Sequence, residues 1–250
     1  MKNSVLLLLA LIFSVNISSH AQTVDEIIDN YFENTGGAEQ WNALEGVVFY
    51  AVVNQMGMEI PIEITQLKSG NQMSVIKFQG QEIKQGVFDG EVSWSINLMN
   101  QKAEKSDDET TENVKRSIGD FPDPLLDYKS KGYSAELLGT EEIDGTECYK
   151  VKLTKTPVLA DGEEVENVDF YFFDMDNFVP IAQQSEIKSG PMKGQMSEVK
   201  FSDYQEVEGL YFPFSQSQGM VGQDGASVSI DKIVLNPEID DSVFAFPENN

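Results

Sequence analysis

From Val47 onward, apolar and polar residues alternate with a period of two in a succession of short runs. The first group covers 47–53, 59–67, 72–79, 82–89 and 92–99. The second covers 134–143, 146–155, 165–175, 179–188, 195–204, 210–218 and 226–235. Turn-forming residues punctuate them: Asn54 and Gly57, Ser69-Gly70-Asn71, Gly80, Asp89-Gly90 and Asp144-Gly145. Short sequential strands with tight connections predict an antiparallel meander rather than β-α-β crossovers. No repeat of fixed period is visible, which argues against a propeller or a solenoid. The expectation is a mainly β (α+β) chain of about 11 strands, closed into a barrel or bent into a strongly curved sheet.

Before Val47 the period is helical. Thr23 followed by Glu26 forms a capping box, and Ile27, Ile28, Tyr31 and Phe32 share one stripe, so 23–34 reads as an amphipathic helix ended by Gly36-Gly37. A second short helix is expected over Ala38–Leu44, with Trp41 and Leu44 on one side.

Residues 100–133 interrupt the strand rhythm. Asp107-Asp108-Glu109 open a helical stretch that ends at Lys115-Arg116, the charge order that the helix dipole favours, with Glu112 and Arg116 spaced for an i,i+4 pair. Pro124 stands where the first residue of a further helix would. So long an insertion between strands is the mark of a lid or binding loop, and 108–131 is the candidate lid.

The extreme N-terminus belongs to none of this. Lys2, the apolar run Val5–Val15 and Ser19-His20-Ala21 have the layout of a secretory signal peptide, with cleavage after Ala21. The run is too short to span a bilayer, which takes about 20 residues. The expectation is an exported chain with a signal peptide at 1–21 and one domain over 22–250, located in the periplasm or, alternatively, secreted.

Cleavage sharpens the composition. It removes one of the 17 bases, the only histidine and none of the 42 acids, moving the formal charge from −25 to −26. So acidic a protein has no basic face for nucleic acid and is repelled by anionic membranes, leaving peripheral membrane contact at most. Without histidine the usual general acid–base group and zinc ligand are missing, so neither an enzyme, a metal site nor a cofactor is expected. The lone Cys148 lies in an alternating strand and reads as a buried structural thiol. Asp174-Met175-Asp176-Asn177 reads as a turn between strands rather than a calcium loop. The eight methionines after Met1 suit greasy cargo or, more simply, gap filling.

Three segments resemble the LolA-like periplasmic lipoprotein carriers, also known as outer-membrane lipoprotein-sorting proteins. They are Thr23–Ile28 through Gly36-Gly37 to Trp41 and Leu44; Phe201-Ser202-Asp203-Tyr204 with Glu208-Gly209-Leu210-Tyr211-Phe212-Pro213; and Leu235-Asn236-Pro237 with Ile239–Phe244 and Phe246-Pro247. The resemblance implies an incomplete antiparallel β-barrel with an N-terminal helix and a helical lid insertion, enclosing an apolar cavity for acyl chains. Its partners would be a lipid or acylated lipoprotein and an envelope protein receptor, with the chain itself expected to be a monomer. The alternative is a non-enzymatic envelope sensor or interaction module on the same fold. In the founding carriers an arginine on an early strand holds the lid shut. Here residues 47–64 contain no basic residue and the only arginine is Arg116, within the insertion. Strand parity assigns Phe88, Trp94, Ile96 and Phe170 to the cavity wall, and Phe121, Leu125 and Leu126 to the lid.

Overall fold

The computed structural model describes residues 22–223 and 225–247; the expected signal peptide lies outside them. Thirteen strands form one antiparallel sheet: β1 (Gly46–Gln55), β2 (Met58–Leu67), β3 (Gln72–Phe78), β4 (Gln81–Phe88), β5 (Ser93–Ile96), β6 (Ala103–Lys105), β7 (Ser134–Ile143), β8 (Thr146–Ala160), β9 (Glu163–Asp174), β10 (Pro180–Glu186), β11 (Met196–Val207), β12 (Leu210–Met220) and β13 (Ala226–Leu235). Their order is β6-β5-β4-β3-β2-β1-β13-β12-β11-β10-β9-β8-β7, so the sheet is open and its two edges are the strands that flank the insertion.

Most strand boundaries fall within two or three residues of those expected. The differences have local causes. The three-residue β6 is too short to show an alternation. β8 runs on to Ala160 past Pro157 because the β8–β9 register slips between Lys155 and Val158, where a residue without an N–H breaks no ladder. Asp144 (φ 48°) and Gly145 (φ 85°) make the predicted tight hairpin, both in the left-handed region that this turn demands.

Three helices accompany the sheet: α1 (Val24–Asn34), α2 (Ala38–Asn42) and α3 (Asp108–Ser117). The capping box of α1 is formed, with Glu26 N–H donating to Thr23 Oγ1 at 3.2 Å and Thr23 N–H to Glu26 Oε2 at 2.8 Å. Its stripe of Ile27, Ile28, Tyr31 and Phe32 is buried on the inner face of the sheet, beside Val47, Ala51, Val151, Leu153, Tyr171 and Phe173. Pro124 does not start a helix: residues 124–132 are a run of turns, and Asp127 at φ 49° cannot continue an α-helical path.

The outer face carries two smaller clusters. Met73, Val75, Val87 and Trp94 are covered by the C-terminal segment through Phe244 and Phe246, and Ile143, Cys148, Phe172 and Ala182 form the other. Cys148 is fully buried, and burial pushes its thiol up to about 11, an inert structural thiol as expected. Asp174 Oδ1 accepts from the N–H groups of Asp176 (2.8 Å) and Asn177 (2.7 Å), which makes that segment the strand-to-strand turn.

Candidate functional site

Inward-facing positions of β2, β8, β9 and β10 meet across a hollow, although four strands separate β2 from β10 in the sheet. Only a strongly curled sheet brings them together. α3 stands in the gap between the open edges, touching both β5 and β8. The barrel is incomplete, and the insertion fills its seam.

α3 has no buried residue and is held by polar contacts with the β8–β9 hairpin. Asn113 exchanges two hydrogen bonds with the backbone of Leu159 (2.8 and 2.7 Å), and Gly162 N–H donates to Glu109 Oε2 at 2.7 Å. Arg116 makes the predicted contact with Glu112 (3.2 Å) and also donates to Glu164 (2.7 Å) and the Pro157 carbonyl (2.9 Å). The chain then turns under the curl. Phe121-Pro122-Asp123-Pro124 lies between two adjoining hollows that share Pro122, Pro124, Tyr171 and Gln183 in their walls. One, of about 340 Å³, is lined by amides and charges: Gln66, Asn71, Gln72, Asp120 and Lys155. The other, of about 200 Å³, is aromatic, with Tyr31, Trp41, Phe49, Tyr204 and Phe212.

An ion triad clamps the insertion from inside. Lys155 Nζ lies 3.0 Å from Asp120 Oδ2 and 2.9 Å from Asp169 Oδ2. Asp120 also accepts from the Tyr133 hydroxyl (2.7 Å), and Asp169 from Ser185. Burial acts to lower the Lys155 pKa, but the Asp169 and Asp120 charges outweigh it and hold the ammonium above its ordinary value. Nearby, the Tyr31 hydroxyl donates to Asp123 at 2.9 Å, and burial pushes the Asp123 carboxyl upward despite that bond. At the surface, Asp25 accepts from Tyr128 (2.6 Å) and Lys129 (2.6 Å), and Asn42 donates to Asp127 (2.9 Å), tying the loop to α1 and α2.

The seven residues chosen by parity do not form one wall. Phe121 lines the larger hollow. Leu125 and Leu126 are buried in the inner core and border a separate surface hollow beside α1. Phe88 is fully buried and pairs with Gln72, on the inner side of the sheet, but does not line either inner hollow. Trp94 and Ile96 are placed on the outer face beneath the C-terminal segment, where Trp94 Nε1 donates to the Phe244 carbonyl at 2.8 Å. Phe170 is also on the outer face, beside the Cys148–Phe172 cluster, while Tyr171 and Phe173 point inward. Both faces of β5 and β9 are covered, so alternation alone did not say which parity was inward.

The residues that build the site were missed, although β8 carried a signal. Val151, Leu153 and Lys155 share a parity, and a lysine continuing an apolar face has to find a buried partner. Asp169, in step with Tyr171 and Phe173 and paired with Leu153, is the complementary signal on β9.

No family model matches the chain, and no curated protein does. Solved structures do. A DUF1329 family protein from Desulfovibrio piger superposes with a TM-score of 0.54 at 14% identity, covering 90% of this chain and 98% of that one. A LolA superfamily protein from Nitrosomonas europaea gives 0.53 at 14% identity, covering 90% and 98%. The chain shares the fold of these two proteins. A domain assigned to outer membrane lipoprotein sorting from Vibrio parahaemolyticus gives 0.50 at 8% identity, covering 88% and 94%.

The segments that carry the LolA-like resemblance are neighbours at the base of the sheet. Tyr211 N–H donates to the Thr35 carbonyl at 3.0 Å, and a Cβ on Gly36 would sit 2.1 Å from the Gly209 carbonyl oxygen, so the backbones touch. The Trp41 ring packs 5.0 Å from Phe212, and Asn236 Oδ1 accepts from Glu45 N–H at 2.7 Å. They hold α1 and α2 on the sheet, and through Trp41, Tyr204 and Phe212 they also wall the aromatic hollow.

Proposed function

We propose that this protein is a carrier in the cell envelope, exported to the periplasm, that holds an acyl chain of a lipid or lipoprotein beneath its insertion. One observation carries the reading: the two inner hollows adjoin along Pro122 and Pro124, a segment of the insertion, over Tyr171 and Gln183 of the sheet. Displacing that segment joins an aromatic compartment to a polar one, the division an amphiphile requires. The larger hollow is within the range of ligand sites, about 300–1,000 Å³. The need is physical: a 16-carbon chain taken out of water gains roughly 12 kcal/mol at about 0.8 kcal/mol per CH₂, so a carrier must offer enclosed apolar surface.

Reversible loading also requires a lid that opens at modest cost. The exposed contacts of Arg116 with Glu164, Glu109 with Gly162, Lys129 with Asp25 and Asn42 with Asp127 contribute roughly 0–1 kcal/mol each, which leaves the buried Lys155–Asp120 pair as the main contact that opening breaks. The mature protein purified from its native host should yield an acylated molecule when extracted into organic solvent and analysed by mass spectrometry. Extracts free of lipid, from protein that also fails to take up an added fatty acid, would end the carrier reading.

A further inference from the structure

Nine large apolar side chains are exposed among the described residues, and seven of them cluster at one end of the sheet. Met56 and Met58 flank the β1–β2 turn, Phe78 the β3–β4 turn, Leu98 and Met99 the β5–β6 connection, Met192 the β10–β11 loop and Val221 the β12–β13 turn. Alternate connections of an antiparallel meander emerge at the same end, so these hairpin tips follow one another along it in strand order. Pairing fixes their closeness: Val221 N–H donates to the Met196 carbonyl at 3.0 Å, and Asn54 is in register with Ser227. Met56 and Met99 are 94% and 96% exposed, so none of the described residues covers them.

The charge of this end differs from that of the rest. Its six connections, 55–59, 77–82, 97–105, 160–163, 186–196 and 219–226, carry five lysines against seven acids. The turns at the opposite end, 67–72, 88–93, 143–146, 174–180 and 207–210, carry one lysine against six acids, and the one exposed large apolar side chain beside them is Tyr211. One end of a chain with net charge −25 is thus nearly neutral and tipped with flexible thioethers.

We propose that this end of the sheet docks on an electroneutral lipid bilayer, the tips entering the boundary between headgroups and acyl chains. A protein partner would call for a contiguous packed patch, whereas these are single side chains on separate turns, which a fluid interface accommodates one by one. Near-neutrality at the tips limits the charge that must leave water at the interface, and the acidic body disfavours anionic lipid. The inference concerns the outside of the molecule and stands apart from what the hollow holds.

Vesicle flotation tests it. The mature protein should float with phosphatidylcholine–phosphatidylethanolamine vesicles, and less with vesicles that also contain phosphatidylglycerol. The double variant Met56→Asp/Met99→Asp should partition roughly tenfold more weakly or worse, as expected when binding follows buried apolar area. Tyr211→Ser, at the opposite end, should float like the parent. A polarity-sensitive dye on Met99→Cys should shift to the blue on adding neutral vesicles, with buried Cys148 inert to labelling. The proposal is overturned if the parent does not float, if the double variant floats equally well, or if light scattering shows a dimer that the variant dissolves. Fatty-acid binding by the double variant should equal the parent's, so failure at the bilayer leaves the carrier reading standing.

Discussion

Replacing Lys155 with methionine is expected to destabilise the protein by roughly 3–5 kcal/mol, the cost of removing one partner from a buried ion pair. The side chain of Lys155 is 13% exposed and that of Asp169 6%, so bulk solvent does not replace the lost ammonium, and water reaches the carboxylates only through the hollow that Lys155 lines. Two carboxylates would then face each other without their cation, one of them on the insertion. Thermal unfolding should fall by roughly 10 °C for a chain of this length. Hydrogen exchange should rise first at 118–124, where Asp120 holds the insertion down. The triple variant Lys155→Met/Asp120→Asn/Asp169→Asn should recover most of the loss, because neutral groups of similar shape demand no counter-ion. A loss no greater than that of an exposed pair would show that the triad does not clamp the lid.

The pH profile should carry the same signature. The Lys155 ammonium is held above its ordinary 10.5 in the folded state, so its contribution is complete below that value and is lost as pH rises through the higher folded one. The stability difference between parent and Lys155→Met should therefore be flat through neutral pH and shrink in strong alkali.

Trp94→Ala is the second large effect, roughly 3–5 kcal/mol for deleting a buried aromatic side chain. Trp94 is 2% exposed, its ring packs edge-on against Phe246 at 5.9 Å, and its Nε1–H donates to the Phe244 carbonyl at 2.8 Å. The substitution leaves a cavity on the outer face and a main-chain acceptor without its donor. Exchange protection at 241–246 should disappear, while fatty-acid binding should stay as in the parent. Loss of binding at unchanged stability would instead return Trp94 to the cavity wall.

That contrast marks how far the sequence could be read. The meander, the α1 capping box and the Glu112–Arg116 pair were legible because each is set by residues close in the chain. The face on which an apolar residue falls was not legible wherever both faces are covered, and Phe170 and Trp94 were placed inward for that reason. Covering the outer face is the work of the C-terminal segment, and the contact of Trp94 with Phe244 spans 150 residues. The latch shows the same limit. Arg116 was visible as the only arginine and does hold α3 to β8–β9, but the buried cation that meets the insertion from within is Lys155. Its partners stand 35 and 14 positions away, Asp169 brought beside it by the β8–β9 pairing and Asp120 by the docked insertion. Lys155 in phase with Val151 and Leu153, and Asp169 in phase with Tyr171 and Phe173, were the local clues.

The most direct test of the central claim is to fill the shared wall of the two hollows. Gln183 lines both, on β10 beside Tyr171, and Gln183→Trp places an indole where the acyl chain should run. Titration with a fluorescent fatty acid should give saturable binding to the parent and an affinity weaker by roughly tenfold or more for Gln183→Trp, about 1.4 kcal/mol for each factor of ten. Thermal unfolding of the two proteins should remain similar. Equal affinity in parent and variant, or no saturable binding by the parent, would contradict the claim that these hollows hold the chain.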